Sequence, residues 1–92
     1  METLTLNDGT VITNAISIRA VVGLWIHLNG YTMQEAFSLF SDPSKTERIT
    51  TDKTEPDRPD EPIIYEGYTD LFSIRIDDEG EIVVGLKEAS DA

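Results

Sequence analysis

Between Ala15 and Gly30 the chain reads AISIRAVVGLWIHLNG, and Ile16, Ile18, Ala20, Val22, Leu24, Ile26 and Leu28 occupy every second position. Successive side chains of a strand point to opposite faces, so this period of two marks β-structure with one buried face. The run exceeds an ordinary strand of about 5–6 residues, and a bend or hairpin is expected between Ala20 and Gly23. On this reading the even-numbered apolar residues share the core face, while Trp25, His27 and Asn29 lie opposite.

The flanking segments keep the same character. LTLNDGTVIT, at 4–13, alternates around Asn7-Asp8-Gly9, residues that tolerate the positive φ of a tight turn, which predicts a β-hairpin. Asn29-Gly30 ends the β rhythm and YTMQEAFSLF opens a helix. Thr32 and Glu35 are spaced as a capping box, and Met33, Ala36, Phe37 and Phe40 recur at helical intervals as a stripe facing the sheet. Asp42-Pro43 stops that helix and starts one further turn. A strand follows at Ile49 and Thr51.

Residues 55–62, EPDRPDEP, offer no apolar side chain to bury, and proline has no amide to give to a sheet ladder. An exposed acidic, Pro-rich loop at 54–62 is therefore expected as a long hairpin connection. PIIYEGYTDLFSIRI is again β-like, with a bulge at Gly67 and with Phe72, Ile74 and Ile76 facing the core. DDEGE at 77–81 is a turn, EIVVGLKEA is a closing strand, and the terminal ASDA should fray. Together these elements predict a single α+β domain over residues 1–92. Its architecture is a small twisted antiparallel sheet of about five to six strands with one helix, Met33 to Phe40, packed on a face.

Catalysis is disfavoured by inventory. His27 is the sole histidine, there is no cysteine, and neither a nucleophile elbow nor a Gly-rich phosphate cradle is present. Asp77, Asp78, Glu79 and Glu81 lack the spacing of a calcium loop, so no metal site and no cofactor are expected. Met1-Glu2-Thr3 has no basic start or apolar stretch of a signal peptide, and no run is apolar enough to span a membrane. The default location is intracellular, in a bacterial cell or a host cell.

Charge points to the partner. The net charge is −11; residues 47–92 hold fourteen acids and five bases, a net of −9, whereas residues 1–46 hold four acids and two bases, a net of −2. Such a field repels nucleic acid and anionic membrane and favours a protein with a basic surface. An open sheet edge, expected at Ile49 to Thr51, would also permit a homo-oligomer.

LNDGTVI near the start, TMQEAFSLFSDPSKTERI in the middle, YEGYT after it and an apolar strand behind an acid-glycine turn form a pattern. It resembles a family of small proteins encoded by phages and prophages of gut Firmicutes, many of which look like genes lying near tail or other virion genes. The resemblance implies a phage origin and a non-enzymatic role in protein binding, and it carries over no active site. The first expectation is thus a virion- or tail-associated accessory protein. The alternative is an anti-defence, anti-CRISPR-like inhibitor whose acidic surface mimics nucleic acid and blocks a host nuclease. In either case the expected working residues are Glu55, Asp57, Asp60 and Glu61 of the loop, Asp77, Asp78, Glu79 and Glu81 of the turn, and the aromatics Tyr65 and Tyr68, with Phe72 and Trp25 as further anchors where exposed. With the loop and turn side by side, same-face carboxylates spaced about 6.6 Å apart would form a row of anions.

Overall fold

The turn expected near Ala20 falls at Val21 and Val22, and it decides which residues are buried. Across it Ala20 pairs with Gly23, Ile18 with Trp25 and Ile16 with His27. Each pair joins an even position to an odd one, so a two-residue turn exchanges the parity of the core face. Leu24, Ile26 and Leu28 are buried, together with their partners' side of the sheet at Ala15 and Ser17. Ile16 and Ile18 therefore emerge on the opposite face, 40% and 49% exposed, instead of sharing the core with Leu24.

A computed structural model describes residues 2–88; the terminal ASDA, expected to fray, lies outside the described residues. The elements are β1 (Glu2–Thr5), β2 (Val11–Ala20), β3 (Gly23–Leu28), α1 (Met33–Phe40), α2 (Pro43–Thr46), β4 (Arg48–Glu55), β5 (Arg58–Glu66), β6 (Asp70–Ile76) and β7 (Ile82–Lys87). The strands form one sheet in the order β5-β4-β1-β2-β3-β7-β6, and every neighbouring pair is antiparallel. An antiparallel sheet with a helix packed on it holds. It has seven strands, however, not five to six. The difference arises in 63–76, a single β-like run in the sequence, which Gly67, Tyr68 and Thr69 divide into strands on opposite edges.

The segment 54–62 is not a loop. Thr54 pairs with Pro62 and Glu55 with Arg58, so the connection is only Pro56 and Asp57. Prolines are accommodated because β5 is an edge strand, where an amide facing outwards needs no partner. Shifts of register between Thr50 and Glu55 absorb the irregularity. The same hairpin removes the edge expected at Ile49 to Thr51, since β4 is paired on both sides, by β1 and β5.

Two short-range readings are also corrected. A register shift between Leu71 and Ser73 turns Phe72 to the outer face, where its ring meets Trp25 edge-on at 5.1 Å. Phe37 is exposed on α1, leaving Ala36 and Phe40 as the buried residues of the helix. The capping box itself forms: Thr32 Oγ1 accepts from the Glu35 amide at 3.1 Å, and Glu35 Oε1 accepts from the Thr32 amide at 3.0 Å.

A three-residue link joins Glu66 on one edge strand to Asp70 on the other. Seven strands about 4.8 Å apart would separate the edges of a flat sheet by about 29 Å. Four Cα steps reach at most about 14 Å. The sheet must therefore curl, wrapping its core of Leu4, Ile12, Leu24, Ile26, Ile49 and Val84. The α1 helix covers β6 and β7 on that inner side, and α2 lies against β4.

Inside the curl the Glu2 side chain reaches along β2 beyond its partner Ala15. The Glu2 carboxylate, nearly buried, accepts hydrogen bonds from the Ser17 amide and the Ser17 hydroxyl, both at 2.6 Å, and from the Thr51 hydroxyl at 2.9 Å. Lys53 Nζ stands 3.9 Å away and donates to the Ser17 carbonyl at 2.9 Å. Removing a buried acceptor leaves its donors unpaired, which costs about 1–3 kcal/mol. Glu2→Ala is expected to lower stability by about 2 kcal/mol, or roughly 8–16 °C in Tm for a domain of this size. Thermal and urea unfolding against Glu2→Gln, which retains shape and part of the bonding and should lose less, measure it.

Candidate protein-binding surface

The acidic residues singled out in the sequence do reach solvent, but the sheet divides them. Glu55, Asp57, Asp60 and Glu61 occupy the β4–β5 hairpin, all exposed. Asp78 and Glu79 are exposed in the β6–β7 turn, with Asp77 and Glu81 half-buried beside them. The registers place the two groups at opposite ends of the strands. The hairpin tip lies beyond Glu55 and Arg58, at the end of the sheet that holds Ala20, Gly23 and Lys87. The β6–β7 turn follows Ile76 and Ile82, beside Leu28 at the other end. No continuous row of carboxylates joins them. Within the hairpin, Arg58 stands 3.9 Å from Glu61 at the surface, a contact of little energetic weight in water.

The two tyrosines are not surface anchors. Tyr65 and Tyr68 are 2% and 6% exposed, with rings edge-to-face at 6.1 Å. They fill the space where the two sheet edges approach. The Tyr65 hydroxyl is 3.0 Å from the Ser17 hydroxyl, and the Arg19 guanidinium lies 5.1 Å from the Tyr65 ring centre. Arg19 and Lys53 also line a cleft of about 280 Å³ beside Ile63 and Tyr65. That places two cations at one mouth of a strongly acidic protein.

The largest departure from the sequence reading is an apolar stripe on the outer face. Ile16 and Ile18 of β2 lie beside His27 and Trp25 of β3, and Trp25 lies beside Gly85 of β7. Phe72 packs across this glycine. A Cβ at position 85 would sit 2.7 Å from Trp25 Cζ3 and 2.9 Å from Phe72 Cζ, so only glycine lets the two rings meet over β7. Lys87 Nζ sits 4.7 Å from the Phe72 ring centre. At the end of the stripe, the Val21-Val22 turn is open to solvent, Val22 at 62% and Val21 fully. Exposed apolar residues grouped on one face make this stripe a candidate interaction surface. The signal was present in the sequence as apolar residues in a two-residue turn, a position where polar residues and glycine are favoured.

His27, Asp77 and Glu81 converge at the far end of this face, each half-buried, with candidate ligand atoms all within 4.8 Å of one another. Among the described residues no helix is long and apolar enough to cross a membrane. Compared with protein-family models, with curated proteins and with solved structures, the chain finds no match.

Burial shifts one titration. Removal from water raises the Tyr68 phenol above its ordinary value of 10.0, with Arg19 opposing and Glu88 adding to the effect. The unfolded phenol ionises near 10 while the folded one stays neutral to higher pH, so the unfolded state binds fewer protons there and stability falls as pH rises past about 10. Tyr68→Phe, which cannot ionise, is expected to flatten that fall. Urea midpoints of both proteins at pH 8 and pH 10.5 provide the comparison.

Proposed function

We propose that this chain is a non-enzymatic protein-binding module whose outer stripe, Ile16, Ile18, Trp25 and Phe72 with the Val21-Val22 turn, docks on a partner protein. The observation that carries the reading is the exposure of β-branched residues in a central strand whose other face buries Ile12, Ala15 and Ser17. Aromatic and aliphatic side chains inside a polar rim match the make-up of interface centres. The acidic β4–β5 hairpin adds a long-range role. Its charges favour a partner with a basic surface and hasten encounter without supplying most of the affinity. The resemblance to phage- and prophage-encoded proteins supports an accessory role in the bacterial cytoplasm or on the virion. The nucleic-acid-mimic alternative loses its main geometric support, because the acidic hairpin and the acidic turn do not form one row.

The test compares capture of a partner from phage-producing cells, and from purified particles, by the natural protein and by variants. Ile16→Ser/Ile18→Ser is expected to abolish capture while changing stability little, since both side chains are already half in water. Asp57→Lys/Asp60→Lys/Glu61→Lys is expected to slow association severalfold and to reduce its salt dependence, with capture retained. Undiminished capture by the Ile16/Ile18 variant would overturn the proposal. Displacement of the partner by DNA or RNA, with loss of capture in the charge-reversed variant, would favour the mimic instead.

A further inference from the structure

We infer that His27, Asp77 and Glu81 form a binding site for a divalent transition-metal ion, with zinc the best chemical fit. The inference is independent of the docking surface. Three donors of two kinds converge: an imidazole from β3 and two carboxylates from the β6–β7 turn, fifty residues away in sequence. Their ligand atoms lie within 4.8 Å of one another, and His27 Nδ1 is 3.7 Å from a Glu81 carboxylate oxygen. Bonds of about 2.0–2.1 Å in a tetrahedral zinc site hold neighbouring ligands about 3.3 Å apart. Closing the observed separations needs only small side-chain rotations at a half-buried position.

The backbone holds these donors in place. His27 is opposite Val83 in the β3–β7 ladder, and Glu81 lies two residues before Val83, so both side chains emerge on the outer face. One Asp77 oxygen, Oδ1, accepts from the Glu79 and Glu81 amides, each at 2.9 Å, which orients the carboxylate and leaves Oδ2 for an ion. The turn is closed by the Asp77 amide donating to the Glu81 carbonyl at 2.9 Å. Nearby Arg75, also on the outer face opposite Val83, is the cation a bound metal would have to tolerate. Mixed nitrogen and oxygen donors favour zinc and its neighbours over magnesium or calcium, which take oxygen alone and, for calcium, 6–8 ligands. Three protein donors leave the remaining coordination position to water or to a partner's side chain.

Because His27 is the only imidazole in the chain, its ring resonances report the site without ambiguity. Zinc chloride is titrated into the full chain in 5 mM magnesium buffer, followed by calorimetry and by the His27 ring signals. One equivalent should bind, the ring signals should shift in step, and millimolar calcium should not displace the zinc. His27→Gln and Glu81→Gln should each weaken binding at least about tenfold, while Asp78→Asn/Glu79→Gln should leave it unchanged. Binding that is multiple and indifferent to His27→Gln would overturn the site as mere attraction to a −11 protein. So would His27 signals of the natural protein that stay put at saturating zinc, a result that does not depend on any variant folding.

Discussion

A three-residue link between the two outermost strands is the constraint on which the rest of this structure depends. Gly67, Tyr68 and Thr69 cannot bridge the width of a flat seven-stranded sheet, so the sheet curls until its edges approach. The curl creates an inside, which α1 and the buried apolar residues fill, and an outside on which Ile16, Ile18 and Phe72 are exposed. Tyr65 and Tyr68, on either side of the link, pack edge-to-face where the two edges come near. Glu2 is part of the same solution. Its carboxylate accepts from the Ser17 amide and hydroxyl and from the Thr51 hydroxyl, joining β1, β2 and β4.

Curling without closure leaves two edge strands, and an unpaired edge invites association with another chain. The acidic, proline-rich segment is explained by that hazard. Pro59 and Pro62 lie in β5, an edge strand, the place in a sheet where residues without an amide proton are tolerated. Asp60 and Glu61 add repulsion between copies. Its composition, which resembles that of a solvated loop, is thus also the composition of a guarded edge. At the other edge, the irregular register at Leu71 and Ser73 interrupts β6, and the helix packs against it.

The outer face gains its character from what the inner face consumes. Leu24, Ile26 and Leu28 line the core, and a two-residue turn obliges Ile16 and Ile18 to take the other side. Gly85 lets Trp25 and Phe72 meet above β7, extending the apolar stripe across four strands, β2, β3, β7 and β6. The exposed acids of the β4–β5 hairpin and the β6–β7 turn lie at opposite ends of the same sheet.

The local signals were legible in the residues themselves. The Asn-Asp-Gly hairpin, the Thr32–Glu35 capping box, the Asp42-Pro43 start of α2 and the alternation of the strands all depend on contacts within a few residues, which sequence spacing encodes directly. Strand count, face and neighbour were not legible. Face depends on the parity of a turn, which a shift of one residue reverses. A loop and an edge strand share a composition, because both leave amides in water. The acids at 77–81 read as a solvated turn because the histidine that completes their cluster is fifty positions away, and only the pairing of β3 with β7 brings it there. Composition and spacing by themselves determined that this chain forms an acidic antiparallel sheet with one capped helix. Tertiary structure alone decided which apolar residues were left over and which polar ones met, because both depend on long-range register and on the curl a short link imposes.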